Sequence, residues 1–161
     1  MALVFIGLGA NLGPARENIR QAWGEVGSLA KTILLSLSSP YLSEPVGVAS
    51  DNWFTNAVGV LETRLSPHDL LTELLAIETK MGRDRSLGHD RPVDLDILYF
   101  DAQIINDPDL TIPHPEIAQR LFVLAPLSEV APDHIHPVSG LTSTAMKQQL
   151  LTPFSVKKSS W

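Results

Sequence analysis

The chain contains no cysteine, and it carries fewer positive than negative charges. Without cysteine it can form neither a disulfide framework nor a thiolate nucleophile or metal ligand. Its 12 lysine and arginine residues against 18 aspartate and glutamate residues give a net charge of −6. A general nucleic-acid binder needs a basic face, so this balance argues against that class of protein. An anionic substrate would need a local basic patch.

Long apolar runs are also absent. The apolar start, residues 1–6, has no basic region before it and soon meets a glycine, so it predicts a strand and not a signal peptide. No run is long enough to span a membrane. The 161 residues, 44% hydrophobic and 19% charged, are typical of a soluble protein with one sizeable core. We therefore expect one cytoplasmic domain over residues 1–161, monomeric, that binds neither membrane nor nucleic acid.

Apolar periodicity predicts an α+β fold. Strands are expected at residues 3–8, 32–38, 53–63 and 93–100, and helices after residue 14 and at 66–82, 120–130 and 142–151. Residues 40–47 read as a loop, Ile104-Ile105 as a short hairpin partner of the preceding strand, and the polar C-terminal tail as loosely held. This order predicts a mainly antiparallel sheet with helices packed on one face.

Two carboxylates interrupt the apolar strand that ends at Phe100. Side chains alternate along a strand, so Asp94 and Asp96 are expected on one face with Cα atoms roughly 6–7 Å apart. Carboxylates that close repel each other unless a positive charge lies between them. Mg²⁺ binds through one or two carboxylates together with substrate phosphates. The pair therefore indicates either a magnesium site or simply a strand with an acidic polar face.

Three arginines precede the acidic pair, at positions 83, 85 and 91. Arginines beside a carboxylate metal site are the arrangement that phosphoryl transfer requires, because guanidinium groups stabilise the charge on the moving phosphate. His114 lies between two prolines that restrict its backbone, which makes it a candidate phosphate contact. His134 and His136 have no further ligand types nearby and are interpreted as surface histidines.

Other polar residues have structural interpretations as good as functional ones. The spacing of Gly7, Gly9 and Gly13 differs from a dinucleotide fingerprint and favours a tight turn, which the side chain of Asn11 could cap. Asn56 lies among apolar neighbours and needs a hydrogen-bond partner if buried. Glu78 falls off the apolar stripe of its helix, which predicts a solvated side chain.

Several motifs, in order over nearly the whole chain, resemble those of the 6-hydroxymethyl-7,8-dihydropterin pyrophosphokinase family of folate synthesis. They are Gly7-Leu8-Gly9-Ala10-Asn11-Leu12-Gly13, Phe54-Thr55-Asn56-Ala57, Gly82-Arg83-Asp84-Arg85, Asp94-Leu95-Asp96-Ile97-Leu98, Ile112-Pro113-His114-Pro115 and Phe122-Val123-Leu124. The resemblance implies a ferredoxin-like α/β sandwich. It also implies transfer of pyrophosphate from ATP to the hydroxymethyl group of the pterin, which releases AMP.

The resemblance also assigns roles to residues. Asp94 and Asp96 would hold two Mg²⁺ ions, and with Arg83 and Arg91 they would form the catalytic set. The pterin site would consist of Ser43, Pro45, Val46, Phe54, Asn56 and Phe122. The ATP site would consist of Glu78, Arg83, Arg85, Arg91, Ile97, Thr111, His114 and Arg120.

Two other functions remain compatible with the sequence. A two-metal nuclease or nucleotidyl-transferase could use the same aspartate pair, although the net acidity of the chain weighs against it. A binding module for pterins or nucleotides that has lost catalysis is the other. Residues 86–91 depart from the family pattern, which permits this alternative.

Overall fold

The computed structural model describes residues 1–45, 52–84, 86, 88 and 90–161. The strands in these ranges are β1 (Ala2–Ala10), β2 (Thr32–Leu37), β3 (Tyr41–Ser43), β4 (Phe54–Thr63), β5 (Asp94–Phe100), β6 (Ile105–Asn106), β7 (Thr111–Ile112) and β8 (Val156–Lys158). The α-helices are α1 (Ala15–Gly27), α2 (Pro67–Lys80), α3 (Leu121–Val130) and α4 (Ser143–Gln149). Val46 and Arg85, two of the predicted site residues, lie outside the described residues.

Six strands of the described chain form one antiparallel sheet in the order β5-β1-β4-β3-β8, and β2 also pairs with β4. The long strand β4 is central because β1 covers one of its edges, while β2 and β3 divide the other. The predicted α+β class is thereby confirmed. The alternation of side chains along β1 sends Val4, Ile6 and Leu8 to one side of the sheet and Phe5 to the other.

Helices α1 and α2 pack on the face that carries Val4, Ile6 and Leu8, and they bury their apolar stripes there. Helix α2 begins as predicted, because the Ser66 side chain accepts a hydrogen bond from the Asp69 N–H and Pro67 occupies the first turn. It ends before Gly82, whose φ of +94° favours a residue without a side chain.

Helices α3 and α4 pack on the opposite face, where Leu124, Leu127 and Met146 join Phe5 and Tyr99 in a second core. The prediction of helices on one face was therefore wrong, since both faces of the sheet are covered. The apolar faces of α3 and α4 needed a partner, and the side of the sheet that α1 and α2 leave open offers them the apolar residues Phe5, Val58 and Tyr99. None of the helices in the described ranges is long and apolar enough to cross a membrane.

Three local predictions were wrong. Residues 41–43, expected in a loop, form strand β3. The tail, expected to be loosely held, forms strand β8 against β3. The strand at Ile105 pairs with β7 in a separate two-stranded sheet and not with β5. In each case the strand forms by pairing with a partner that the neighbouring sequence does not indicate.

Candidate active site

A cavity of about 480 Å³ opens where β1, β4 and β5 meet the start of α3 and the C-terminal strand. This volume lies within the usual range for small-molecule sites. One end of the cavity, called the acidic end below, carries Asp94 and Asp96 together with Arg91. The other, called the aromatic end, carries Phe54, Phe122 and the amide of Asn56. The lining of the cavity includes Gly9, Ser43, Phe54, Asn56, Arg91, Asp94, Asp96, His114, Arg120, Phe122, Phe154 and Val156.

The acidic end is built on β5. Asp94 and Asp96 lie on the same face of that strand, as predicted, while Leu95 between them enters the core. Arg83 Nη1 and Arg91 Nη1 each donate a hydrogen bond of 3.2 Å to a different oxygen of Asp94. The Nε atoms of both arginines are buried and have no hydrogen-bond partner among the residues that the structure describes. Two guanidinium groups thus converge on one carboxylate and bring positive charge to this end of the cavity.

Burial and the crowding of like charges raise the pKa of two carboxylates at this end. Burial, together with the negative charges of Asp94 and Glu78, raises the pKa of Asp96 to about 7. Burial also raises the pKa of Glu78, with the charge of Asp94 adding to the effect, although the Leu95 N–H and Arg83 oppose it. Three carboxylates therefore share a region in which at least one of them ionises reluctantly.

A cation would fit this arrangement. Asp94 and Asp96 present oxygen ligands from one strand face, and a divalent ion there would offset the burial and the repulsion that raise the pKa of Asp96. The arginine bonds to Asp94 do not prevent this, because a carboxylate has about four acceptor positions.

Glu78 is not solvated, contrary to the prediction. Its side chain is buried, and its Oε2 accepts a hydrogen bond of 2.7 Å from the Leu95 N–H between the two aspartates. Glu78 therefore fixes the backbone of β5 from helix α2. A buried carboxylate in this place was not evident from helical periodicity because its partner is a backbone group of another element.

His114 lies beside the acidic pair, with its Nε2 4.0 Å from Asp96 Oδ2. Its Nδ1 accepts a hydrogen bond from the Glu116 N–H, so the proton of the neutral ring is on Nε2. Burial lowers the pKa of His114, and the charge of Arg120 lowers it further. The ring is therefore a neutral donor at neutral pH, aimed at the acidic end of the cavity. Arg120 itself pairs with Glu116.

The aromatic end is formed by Phe54 and Phe122, which come from β4 and α3. The guanidinium carbon of Arg91 lies 5.6 Å from the centre of the Phe54 ring, and that of Arg120 lies 5.5 Å from the centre of the Phe122 ring. These cation–π distances are within the favourable range. Since Arg91 also bonds Asp94, it connects the aromatic end of the cavity with the acidic end.

Asn56 provides the amide of the aromatic end. Its Nδ2 donates to Ser43 Oγ across 3.2 Å, from β4 to β3. A Cβ on Gly9 would lie 2.9 Å from Asn56 Oδ1, so the amide fits only because β1 carries glycine at this point. One amide hydrogen is committed to Ser43, and the side chain lines the cavity with its remaining donor and acceptor.

The prediction that Asn11 caps its own turn was wrong. Its side chain instead holds the segment before β5. Its Oδ1 accepts from the Arg91 N–H across 2.9 Å, and its Nδ2 donates to Asp90. The backbone N–H groups of Asn11 and Leu12 both donate to the Arg91 carbonyl. The turn after β1 thus positions Arg91 from residues about 80 positions away in the chain.

The structure brings together most of the predicted residues that it describes. Those that line the cavity are Ser43, Phe54, Asn56, Arg91, Asp94, Asp96, His114, Arg120 and Phe122. Arg83 reaches it through Asp94. Pro45, Ile97 and Thr111 are not among the lining residues, and the side chain of Ile97 is buried in the first core.

Sequence reasoning missed the contribution of the C-terminal segment. Thr152, Phe154, Ser155 and Val156 line the cavity, as do Glu44, Glu116 and Gln119. Phe154 was a detectable signal, since it is one of two aromatic residues in a largely polar tail. His134, expected at the surface, instead packs its ring 4.5 Å from that of Tyr99.

Fold and cavity together define a class: an α+β protein with one site that can hold a flat ligand beside a cation and an anionic group. Comparison with known proteins identifies the family. The model of the 7,8-dihydro-6-hydroxymethylpterin-pyrophosphokinase family matches residues 5–132. The chain belongs to this family of pyrophosphokinases, which confirms the resemblance found in the sequence.

Curated relatives and solved structures agree with this membership. The chain is 44% identical over 131 residues to a 2-amino-4-hydroxy-6-hydroxymethyldihydropteridine pyrophosphokinase of Pseudomonas aeruginosa, which covers 81% of both chains. It is 40% identical to a protein of the same name from Haemophilus influenzae, over 92% of this chain and 93% of the relative. A Plasmodium falciparum HPPK-DHPS structure has a TM-score of 0.74 at 16% identity, over 92% of this chain and 44% of that one. This last likeness concerns the fold alone.

Proposed function

We propose that the chain transfers the pyrophosphoryl group of ATP to the hydroxymethyl oxygen of 6-hydroxymethyl-7,8-dihydropterin. The hydroxyl group loses its proton to solvent, and a bond forms between its oxygen and the β-phosphorus of ATP. The bond from this phosphorus to the oxygen shared with the α-phosphate breaks, and AMP leaves. The observation that carries the proposal is one cavity in which an aromatic end with an amide adjoins an end with two carboxylates and converging arginines.

The aromatic end suits the pterin. Phe54 and Phe122 offer ring surface to a flat heterocycle, and Asn56 offers a donor and an acceptor to its rim. Ser43 holds the amide of Asn56 in place, so the orientation of this polar contact is set before the ligand arrives. Selection of the pterin should depend on Asn56, since a wrong ligand would leave the amide unpaired.

The acidic end suits the triphosphate. Asp94 and Asp96 would hold two Mg²⁺ ions, which when bound neutralise charge on the transferred phosphates. Arg83 and Arg91 bring two guanidinium groups to this end, and their positive charge would stabilise the transferred phosphates. His114 would donate a hydrogen bond from its Nε2–H to a phosphate oxygen, and Arg120 would add positive charge. Glu78 supports the site indirectly, through the Leu95 N–H.

The assignment is tested by incubating the chain with MgATP and the reduced pterin and separating the nucleotides. AMP that appears only when pterin and Mg²⁺ are both present supports the proposal. ADP as the product would contradict it, and cleavage of added polynucleotide would indicate a nuclease. Binding of pterin and ATP without turnover would indicate a binding module. A monomeric state and a cytoplasmic location stay predictions.

A further inference from the structure

The C-terminal segment forms one wall of the cavity. Thr152, Phe154, Ser155 and Val156 line it, although they lie beyond residues 5–132, where the family model matches. The segment thus contributes to the site from outside the part of the chain that defines the family. Its position can be traced through the pairing of three strands.

Strand pairing places this wall at the aromatic end. In β8, Val156 is opposite Ser43 of β3, and Ser43 is in turn opposite Phe54 of β4. Ser43 also accepts the hydrogen bond from Asn56. Val156, Ser43 and Phe54 therefore lie in one row across three neighbouring strands, and Ser43 in the middle of this row is the hydrogen-bond partner of Asn56. The acidic pair lies on β5, at the opposite edge of the sheet.

Contacts with the residues just before β3 and with α3 hold the segment in place. The Ser159 N–H donates to the Pro40 carbonyl across 2.8 Å, and Trp161 Nε1 donates to the Ser38 carbonyl across 2.9 Å. Lys158 Nζ lies 3.4 Å from Glu129 Oε1 on α3. Because these anchors do not involve the Phe154 side chain, replacing that ring should leave β8 paired.

Phe154 presents a large apolar ring to the cavity while 44% of its surface is exposed. It belongs to neither core cluster among the described residues. Its backbone N–H donates to Thr152 Oγ1 across 3.2 Å, which restrains the turn that carries the ring. A half-exposed aromatic ring on the wall of a cavity contributes binding free energy when a flat ligand stacks on it and buries it.

We infer that Phe154 is a further specificity-determining residue, which packs against the pterin from the C-terminal wall beside Phe54 and Phe122. This inference rests on the proposed function. Burial of the ring by the ligand favours the pterin over smaller or non-aromatic compounds. ATP, whose phosphates belong at the acidic end, gains nothing from this ring.

The test compares the full-length chain with Phe154→Ala, Phe154→Leu and a control, Leu151→Ala. Leu151 is 93% exposed and does not line the cavity, so its loss controls for removal of an apolar side chain from the same segment. Pterin and ATP are titrated separately, KM is measured for each, and the melting temperature is recorded. For Phe154→Ala we expect Kd and KM for pterin to rise about threefold to tenfold, with those for ATP unchanged.

Phe154→Leu distinguishes ring stacking from apolar contact, since it keeps apolar volume without a π-face. An intermediate loss of pterin affinity in this variant, and none in Leu151→Ala, supports the inference. Unchanged pterin affinity in Phe154→Ala overturns it, as does an equal loss for pterin and ATP that follows a fall in melting temperature. If the wild-type chain forms AMP and the Phe154 variants have the same Kd and KM for pterin as the wild type, only this inference fails. A wild-type chain that binds no pterin overturns both.

Discussion

Asp96 lies in surroundings that disfavour its negative charge. It lies near Asp94 and Glu78, and burial with these charges raises its pKa to about 7. We predict that Asp96→Asn lowers AMP formation by roughly 100-fold or more, because an amide is a poorer ligand for a hard cation. Without Mg²⁺ the melting temperature should stay the same or rise, since one of several like charges is removed.

Asp133→Asn is the matched control, because Asp133 is exposed, and we expect its activity and stability to be near those of the wild type. Both properties are measured at pH 7 with and without Mg²⁺. Near-normal Mg²⁺-dependent activity in Asp96→Asn would show that Asp96 does not hold the ion. A strong drop in melting temperature would show that its charge supports the fold.

Phe122 is half-buried at the start of α3, under the Arg120 guanidinium. We predict that Phe122→Ala raises the Kd for pterin by roughly tenfold and leaves the Kd for ATP nearly unchanged, since stacking is lost only at the aromatic end. Separate calorimetric titrations measure the two constants. Ile135→Ala, which removes an exposed apolar side chain outside the cavity, serves as control. Equal losses for both ligands would mean that Phe122 is a structural residue.

At the scale of elements, α1 packs against β4 through the Trp23 ring, which lies on the backbone of Gly59. A Cβ added at Gly59 would lie 2.4 Å from the ring, whereas one added at Gly24, on the exposed side of α1, meets nothing within 4 Å. Gly59→Ala should lower the free energy of unfolding by about 1–3 kcal/mol through overpacking. Gly24→Ala should raise it by about 0.4–1 kcal/mol, because alanine reduces the entropy of the unfolded chain.

Urea denaturation of both variants measures these changes. The two substitutions are chemically identical, so their opposite signs depend only on what surrounds each glycine. A Gly59→Ala variant as stable as wild type would show that α1 can move away from β4 at little cost.

Glu129 of α3 joins that helix to β3 and β8. It accepts hydrogen bonds from the Ser39 N–H and the Tyr41 hydroxyl, and it pairs with Lys158. Burial would raise the pKa of Glu129, but these three partners outweigh it and lower the pKa below 4.5. Stability from this carboxylate is therefore full above about pH 4.5 and is lost as pH falls through the lowered pKa.

We predict that Glu129→Gln lowers the free energy of unfolding at pH 7 by roughly 0.5–1.5 kcal/mol and makes stability less dependent on pH below 4.5. Urea denaturation at pH 7 and at several lower values tests this. Glu25→Gln, which removes the pair with Lys80 on the other face of the sheet, is the control. An unchanged acid dependence in Glu129→Gln would exclude the carboxylate as its source.

At the scale of the whole molecule, the described structure rests on two apolar cores, one on each face of the sheet. The chain has no cysteine, so neither a disulfide nor thiolate metal ligation supports these cores. Removal of Mg²⁺ with EDTA should therefore abolish AMP formation and leave the circular dichroism spectrum and melting temperature of the free protein unchanged. Unfolding by EDTA would reveal a structural metal, and activity that persists in EDTA would contradict the proposed metal role.

Features that depend on neighbours in the chain could be predicted from the sequence. The two-residue period of a strand places Asp94 and Asp96 on one face wherever that strand lies. The Ser66-Pro67 start of α2 follows from capping chemistry within one turn. The charged and aromatic residues of the cavity before α4, such as Phe54, His114 and Phe122, could be predicted through the resemblance to the family, since motifs far apart in the chain belong to one site.

Only the tertiary structure decided features that depend on contacts between distant residues. Burial of Glu78 follows from the Leu95 N–H, and helices cover both faces because α3 and α4 need the apolar side that α1 and α2 leave open. Strand β8 exists because β3, more than 100 residues earlier, offers it an edge. A polar tail has no local signal for such pairing, so the place of Phe154 in the cavity emerges only when the chain folds.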